Sequence, residues 1–226
     1  MIPITAPYNY GTGKRAEEGG QRFYLTENNA KVASVTTILS KTKDMTHLLA
    51  WKKRIGEEAA NQITQESTGL GTMMHTHLEN HIKGVERPGG TNTGRIMARN
   101  MADVIIREGL CNVDEVWGIE VPLIYDTLWA GTTDLVGVHK GEPAIMDFKT
   151  TIRPKTKDRV DDYRLQLVAY ASAHNLTFGT DIRKLVVFMV SRDLQYQEFT
   201  FGLENFDQDV ADWVARVEKY YYNHVF

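Results

Sequence analysis

The hydrophobic pattern of this chain changes period along its length. Leu48, Trp51, Ile55, Ala59 and Ile63 recur every three or four positions, the spacing that sets one helical face against a core. Asp44 stands just before them, where its carboxylate can accept an orphaned helix amide as an N-cap. Gly69-Leu70-Gly71-Thr72 breaks the pattern, and a second helix is predicted from Thr72 with Met74, Leu78 and Ile82 as its stripe. A glycine-rich loop at 84–94 leads to a third helix. Ile96, Met101, Val104 and Ile105 face inward on it, and Gly109 is its C-cap.

Beyond residue 111 the chain changes character, from helical stripes to short strand-like runs. Strands are predicted at 116–125, 133–138, 143–149, 184–190 and 196–201. A helix over 161–174 carries Tyr163, Leu167, Tyr170 and Ala171 on one stripe. A last helix from Asn205 carries Phe206, Val210, Trp213 and Val217. Near the N-terminus, 22–25 and 31–35 form a short hairpin around Glu27-Asn28-Asn29, preceded by a polar, glycine-rich stretch. The order implies an α/β fold, with a mixed central sheet flanked by helices and an N-terminal helical lobe. The expected layout is one domain over 1–226. It has a flexible arm or lid at 1–21, a hairpin and helical lobe at 22–110, and an α/β core at 111–226.

Composition narrows the function. With 226 residues, 42% of them hydrophobic and 24% charged, the chain can bury a core and is not disordered. A single cysteine, Cys111, excludes a disulfide framework or a four-cysteine cluster. It is expected as a small core side chain in a reducing cytoplasm. No signal peptide is recognised, and no apolar run is long enough for a membrane span. A net charge of −3 gives no general pull on nucleic acid. DNA contact would need a local basic surface or bound metal.

The chemistry gathers on one hairpin. Lys140-Gly141 is a two-residue turn signal between the strands at 133–138 and 143–149. If His139 pairs with Glu142, Asp134 falls opposite Asp147, and Lys149 shares the face of Asp147. Like charges opposed on a ladder repel. A divalent cation between them turns repulsion into coordination, and carboxylate oxygens suit Mg²⁺ or Mn²⁺. Lys149 could then orient or deprotonate a water.

Other residues have two readings each. His75 shares a helical face with Glu79, as a metal ligand or as a surface histidine. Glu120 is a further cluster carboxylate or a solvent-facing strand residue, with Trp117, Ile119, Val121 and Leu123 on the other face. Gln166 and Tyr170, one turn apart, support Lys149 or a phosphate, or Tyr170 simply packs. His77 and His81 have zinc-pair spacing but lack a third ligand. Arg153, Lys155, Lys157 and Arg159 form a solvated loop or a phosphate track, which Lys52, Lys53, Arg54, Arg95 and Arg99 could extend.

Five elements in order carry a resemblance. They are Gly71-Thr72-Met73-Met74-His75, Glu120, Gly131-Thr132-Thr133-Asp134, Asp147-Phe148-Lys149-Thr150 and Gln166-Leu167-Val168-Ala169-Tyr170. Together they resemble the PD-(D/E)XK nuclease superfamily, in its RecB-like branch, with phage-encoded and mitochondrial exonucleases among its members. Ser34-Val35-Thr36-Thr37-Ile38-Leu39 and the helix around Trp51 look similar to that branch as well. Thr133 stands where the superfamily name has proline.

The resemblance implies a restriction-endonuclease-like core and a Mg²⁺- or Mn²⁺-dependent DNA exonuclease. His75, Asp134, Asp147 and the Phe148 carbonyl would bind metal, and Lys149 would activate water. Gln166 and Tyr170 would support the site. Relatives with an iron–sulfur cluster use four cysteines, which this chain lacks. DNA would be the partner, alongside phage replication or recombination proteins, in a host cytoplasm and without membrane contact. A structure-specific endonuclease, or a silent DNA-binding module of the same fold, are the alternatives.

Overall fold

The computed structural model describes residues 2–19, 21–26 and 28–225. Gly20 of the predicted arm and Glu27 of the first predicted turn lie outside them. The chain opens with a small antiparallel sheet of β1 (Lys14–Glu18), β2 (Gln21–Leu25) and β3 (Lys31–Ala33). Four helices follow: α1 (Val35–Thr42), α2 (Thr46–Ile55), α3 (Glu57–Ile82) and α4 (Thr93–Glu108). The meander β4 (Val113–Tyr125), β5 (Trp129–His139) and β6 (Glu142–Thr151) comes next. After it come α5 (Asp161–Phe178), β7 (Lys184–Ser191), β8 (Tyr196–Gly202) and α6 (Phe206–Val225).

The five later strands form one sheet in the order β4-β5-β6-β7-β8. Only β6 and β7 pair in parallel, with α5 as the crossover, so the sheet is mixed and helix-flanked as the sequence implies. β7 is buried on both faces, which its continuous apolar run requires. Leu185, Val187 and Met189 join a core with Val168 and Trp213 of α5 and α6. Val186, Phe188 and Val190 join a second core with Met74 and Met101 of α3 and α4. The sheet is therefore the middle of three layers.

Several expectations are corrected. The first helical stripe breaks at Gly56, whose φ of 90° an L side chain rarely adopts, so α2 and α3 are separate. Conversely, α3 runs unbroken through Gly69 and Gly71. Each glycine costs about 1 kcal/mol in a helix interior. The buried row of Leu70, Met74, Leu78 and Ile82 offsets this by packing on α4. Ile96 points to solvent at 47% exposure, and Cys111 is exposed. α1 carries no separate helical prediction, yet it forms behind Ser34, whose Oγ accepts the Thr37 amide. The predicted free arm is also docked. Residues 14–18 pair with β2, the Thr5 amide donates to the Val116 carbonyl at 3.0 Å, and Tyr8 and Tyr10 pack on His174 and Phe178.

Candidate active site

The β5–β6 hairpin has the predicted register. Pairing runs from His139 with Glu142 to Leu135 with Met146. Lys140 and Gly141 have φ of 50° and 79°, the two left-handed residues of a type I′ turn. Past the Leu135–Met146 pair, a carboxylate oxygen of Asp134 accepts the Phe148 amide at 2.7 Å. This brings the acid of one strand to the backbone of the next. Asp147, 2% exposed, forms an ion pair with Lys149 two residues on.

Glu120 reaches the same place by a different route. It has φ of 52°, a left-handed conformation that costs a non-glycine residue about 1–3 kcal/mol. Here the predicted single face of β4 is corrected. Ile119 packs toward the α3–α4 core, whereas Val121 and Leu123 enter the α5–α6 core. The strand changes face across Glu120, and the register on either side (Ile119 with Leu135, Val121 with Thr133) sets Glu120 across from Asp134.

His75 comes from α3. Its Nδ1 lies 3.4 Å from an Asp134 oxygen, and its Nε2 lies 2.8 Å from the Phe148 carbonyl. One ligand atom each from His75, Glu120 and Asp134 falls within 4.8 Å of the others. An imidazole and two carboxylates form a donor set that fits a divalent cation. Asp147 and the Phe148 carbonyl border this set, the first paired with Lys149 and the second facing His75.

Gln166 and Tyr170 form a pair on α5, with the Gln166 amide donating to the Tyr170 hydroxyl at 3.1 Å. Tyr170 is also core, 2% exposed, so packing and site support coincide. Its ring explains Gly131, since a Cβ there would lie 2.4 Å from it. All these side chains line one cleft of about 630 Å³.

The protonation pattern reflects crowding of acids. Burial and the neighbouring Asp134 charge push Asp147 up to about 6. The same two causes push Glu120 up to about 7. Burial opposes the charge on His75, but Asp134 overcomes it and raises the histidine to about 9. Burial also opposes the Lys149 ammonium, and Asp147 and Asp134 more than compensate, so its pKa is raised. Burial alone would raise Asp134, but His75 and Lys149 hold it low. His75 lies between Asp134 and the Phe148 carbonyl, and a metal ion held by the His75 nitrogen and these oxygens would replace a ring proton.

The other candidates lie elsewhere. His77 is buried and accepts from the Arg87 guanidinium at 3.4 Å, within an Arg87–Asp103 pair. Among the basic residues, Lys155 shares with Lys149 the ring of Tyr163, each ammonium lying over it. Lys157 sits over Phe201. Arg153, Arg159, Lys52, Lys53, Arg54, Arg95 and Arg99 are not among the cleft-lining residues, whereas Arg15 and Arg22 are. Sequence reasoning missed these two. The signal was Gly19-Gly20 between two strand-like runs, a hairpin pattern hidden inside an apparently featureless glycine-rich stretch.

No protein-family model matches the chain. It is similar to mitochondrial genome maintenance exonuclease 1 of Homo sapiens, with 25% identity over an alignment of 201 positions that covers 84% of this chain and 58% of that protein. The chain thus spans little more than half of that relative. A solved structure from Eubacterium rectale, provisionally named an exonuclease, aligns with a TM-score of 0.49 at 12% identity, covering 70% of this chain and 69% of that one.

Proposed function

We propose that this cleft hydrolyses phosphodiester bonds of DNA with the help of a divalent metal, as an exonuclease acting on single strands or ends. One observation carries the reading: His75, Glu120 and Asp134 converge within 4.8 Å beside the Asp147–Lys149 pair. His75, Glu120 and Asp134 would hold Mg²⁺ or Mn²⁺, with Asp147 and the Phe148 carbonyl as further donors. The ion would polarise the phosphate and acidify a bound water.

The chain's own groups supply the rest. Lys149, kept as an ammonium by its two acidic neighbours, orients the attacking water and stabilises charge growing on the phosphate. Asp147 fixes that ammonium through their ion pair. Tyr170 and Gln166 wall the cleft from the α5 side. The basic segment from Arg153 to Arg159, with Lys52, Lys53, Arg54, Arg95 and Arg99, would track the strand outside it. A place in phage DNA replication, recombination or degradation, in a host cytoplasm, is supported only by the resemblance of the motifs.

The test uses end-labelled DNA, linear and circular, single- and double-stranded, with Mg²⁺, Mn²⁺ or EDTA. Linear DNA should be degraded with metal and left intact in EDTA, while circles persist. Full cleavage in EDTA would sink the metal mechanism, and rapid cutting of circular single strands would replace the exonuclease by an endonuclease.

A further inference from the structure

We infer that Arg15 and Arg22 grip the phosphate next to the one being cut, as positioning residues contributed by the N-terminal hairpin. The inference rests on the nuclease reading and adds residues to the same cleft. Both arginines line it together with His75, Glu120, Asp134, Asp147 and Lys149. Neither guanidinium has a hydrogen-bonded or ion-paired partner among the described residues. Glu17 is the ladder partner of Arg22, yet no ion pair joins them.

A second cavity shows the contrast. It is larger, about 1080 Å³, and is lined by Arg164, Arg183 and Lys184 among others. There Arg164 is bound to Asp161, Asp209 and Asp212. Arg183 is bound to Asp181 and Asp207, and Lys184 to Glu142. The protein's own acids satisfy those cations. In the cleft, Lys149 is likewise satisfied by Asp147, Glu79 is paired with Lys83, and Glu120 and Asp134 converge on the metal position. Two guanidinium forks are left over, and a phosphate is the anion their planar, paired donors fit.

Their backbones are anchored on the start of α1, where Ser34 bridges Ala130 of β5, and, through Tyr24, on β5 itself, the strand that carries Asp134. The Arg22 amide donates to Thr37 Oγ1 at 3.2 Å, and its carbonyl accepts from that hydroxyl at 2.8 Å and from the Ser34 amide at 3.2 Å. Arg15 pairs across the ladder with Tyr24. The Tyr24 hydroxyl meets Thr132 Oγ1 at 2.9 Å, two residues before Asp134. Grip and metal position are therefore tied to the same strand, β5, and phosphate spacing along a bound strand is read by a fixed frame.

The experiment scans a single-stranded oligonucleotide with one neutral methylphosphonate at a time. Binding is measured by fluorescence anisotropy in EDTA for the wild type and for the Arg15→Gln/Arg22→Gln double variant, with thermal melts to verify folding. The wild type should lose about tenfold affinity at one phosphate position, a loss of about 1.4 kcal/mol. The double variant should bind unmodified DNA about tenfold more weakly and show no further penalty at that position. In Mg²⁺ its KM should rise more than its kcat falls, and Arg15→Lys/Arg22→Lys should restore binding only in part. A double variant that binds like the wild type, or keeps the full penalty, overturns the inference. Absence of metal-dependent cleavage by the wild type would instead sink the nuclease reading, whatever the arginines do.

Discussion

His75 is half-buried in the cleft and His174 is fully buried, and their protons are driven in opposite directions. His75 lies between Asp134 and the Phe148 carbonyl and is pushed up to about 9. His174 is fully buried, ringed by Tyr8, Tyr10 and Phe178. Burial pushes it down to about 4. Its two nitrogens meet the hydroxyls of Tyr10 and Thr180 at 3.2 and 2.8 Å, which can satisfy one donor and one acceptor on a neutral ring. The contrast separates two uses of a histidine. One balances carboxylates in a cleft, and the other plugs an apolar gap where the N-terminal segment docks.

The strongest test of the cleft side is Lys149→Met. Cleavage should fall about 10²–10⁴-fold, while DNA affinity in EDTA changes within about threefold, because the ammonium serves the transition state more than the ground state. Equal loss of binding and cleavage would contradict that role.

His174 tests the other side through pH. Its folded pKa lies below the unfolded value of about 6.5, so between about 4 and 6.5 the unfolded chain binds more protons. Stability is unaffected by this group above that window and falls as pH drops through it, by roughly 3 kcal/mol in total. Urea melts at pH 7 and pH 4.5 should show the loss, and His174→Gln should flatten this part of the slope. Cleft carboxylates also titrate there, so the informative quantity is the difference between wild type and variant.

Gly131→Ala probes the join between core and cleft. The new methyl would collide with the Tyr170 ring, costing about 1–3 kcal/mol and reducing activity as the ring shifts. An unchanged melting temperature would show that Tyr170 moves freely. His75→Ala should weaken Mn²⁺ binding by about tenfold or more in calorimetry, with His77→Ala far milder because His77 belongs to the Arg87–Asp103 network. The smallest effect is expected for Lys157→Ala, below about threefold in DNA affinity, since one exposed phosphate contact contributes little.

The central sheet was legible because its strands obey simple periods and its key turn has explicit chemistry. The Lys140-Gly141 signal set the register, and the register brought Asp134 and Asp147 to neighbouring strands. Less was legible wherever tertiary contacts override local preference. Gly69 and Gly71 look like a helix break, but the buried row on α3 carries the helix through. Alternation along β4 fails at Glu120, because a left-handed residue turns the strand over and no periodic pattern encodes that. Arg15 was hidden because a glycine-rich segment looks free until β2 offers it a partner edge, and Arg22, within a predicted strand, gave no sign of which side its chain would face. The convergence of His75 on the sheet depends on how α3 docks, which spacing within α3 alone does not specify.

The parallel pairing of β6 with β7 sets an order of assembly. The β5–β6 hairpin closes over a two-residue turn, an event of microseconds. By contrast, β7 can pair only after the intervening crossover is in place, and α3 reaches the hairpin across some seventy residues, His75 meeting Phe148. Loop-closure entropy delays such distant contacts. The acids should therefore come together before the histidine that balances Asp134 arrives, leaving a transient whose negative charge only Lys149 offsets. Pulse-labelled hydrogen exchange during refolding should find β5–β6 amides protected ahead of those in α3, and millimolar Mg²⁺ should shorten the life of that transient. Simultaneous protection would mean that the lobe and the hairpin form one cooperative nucleus.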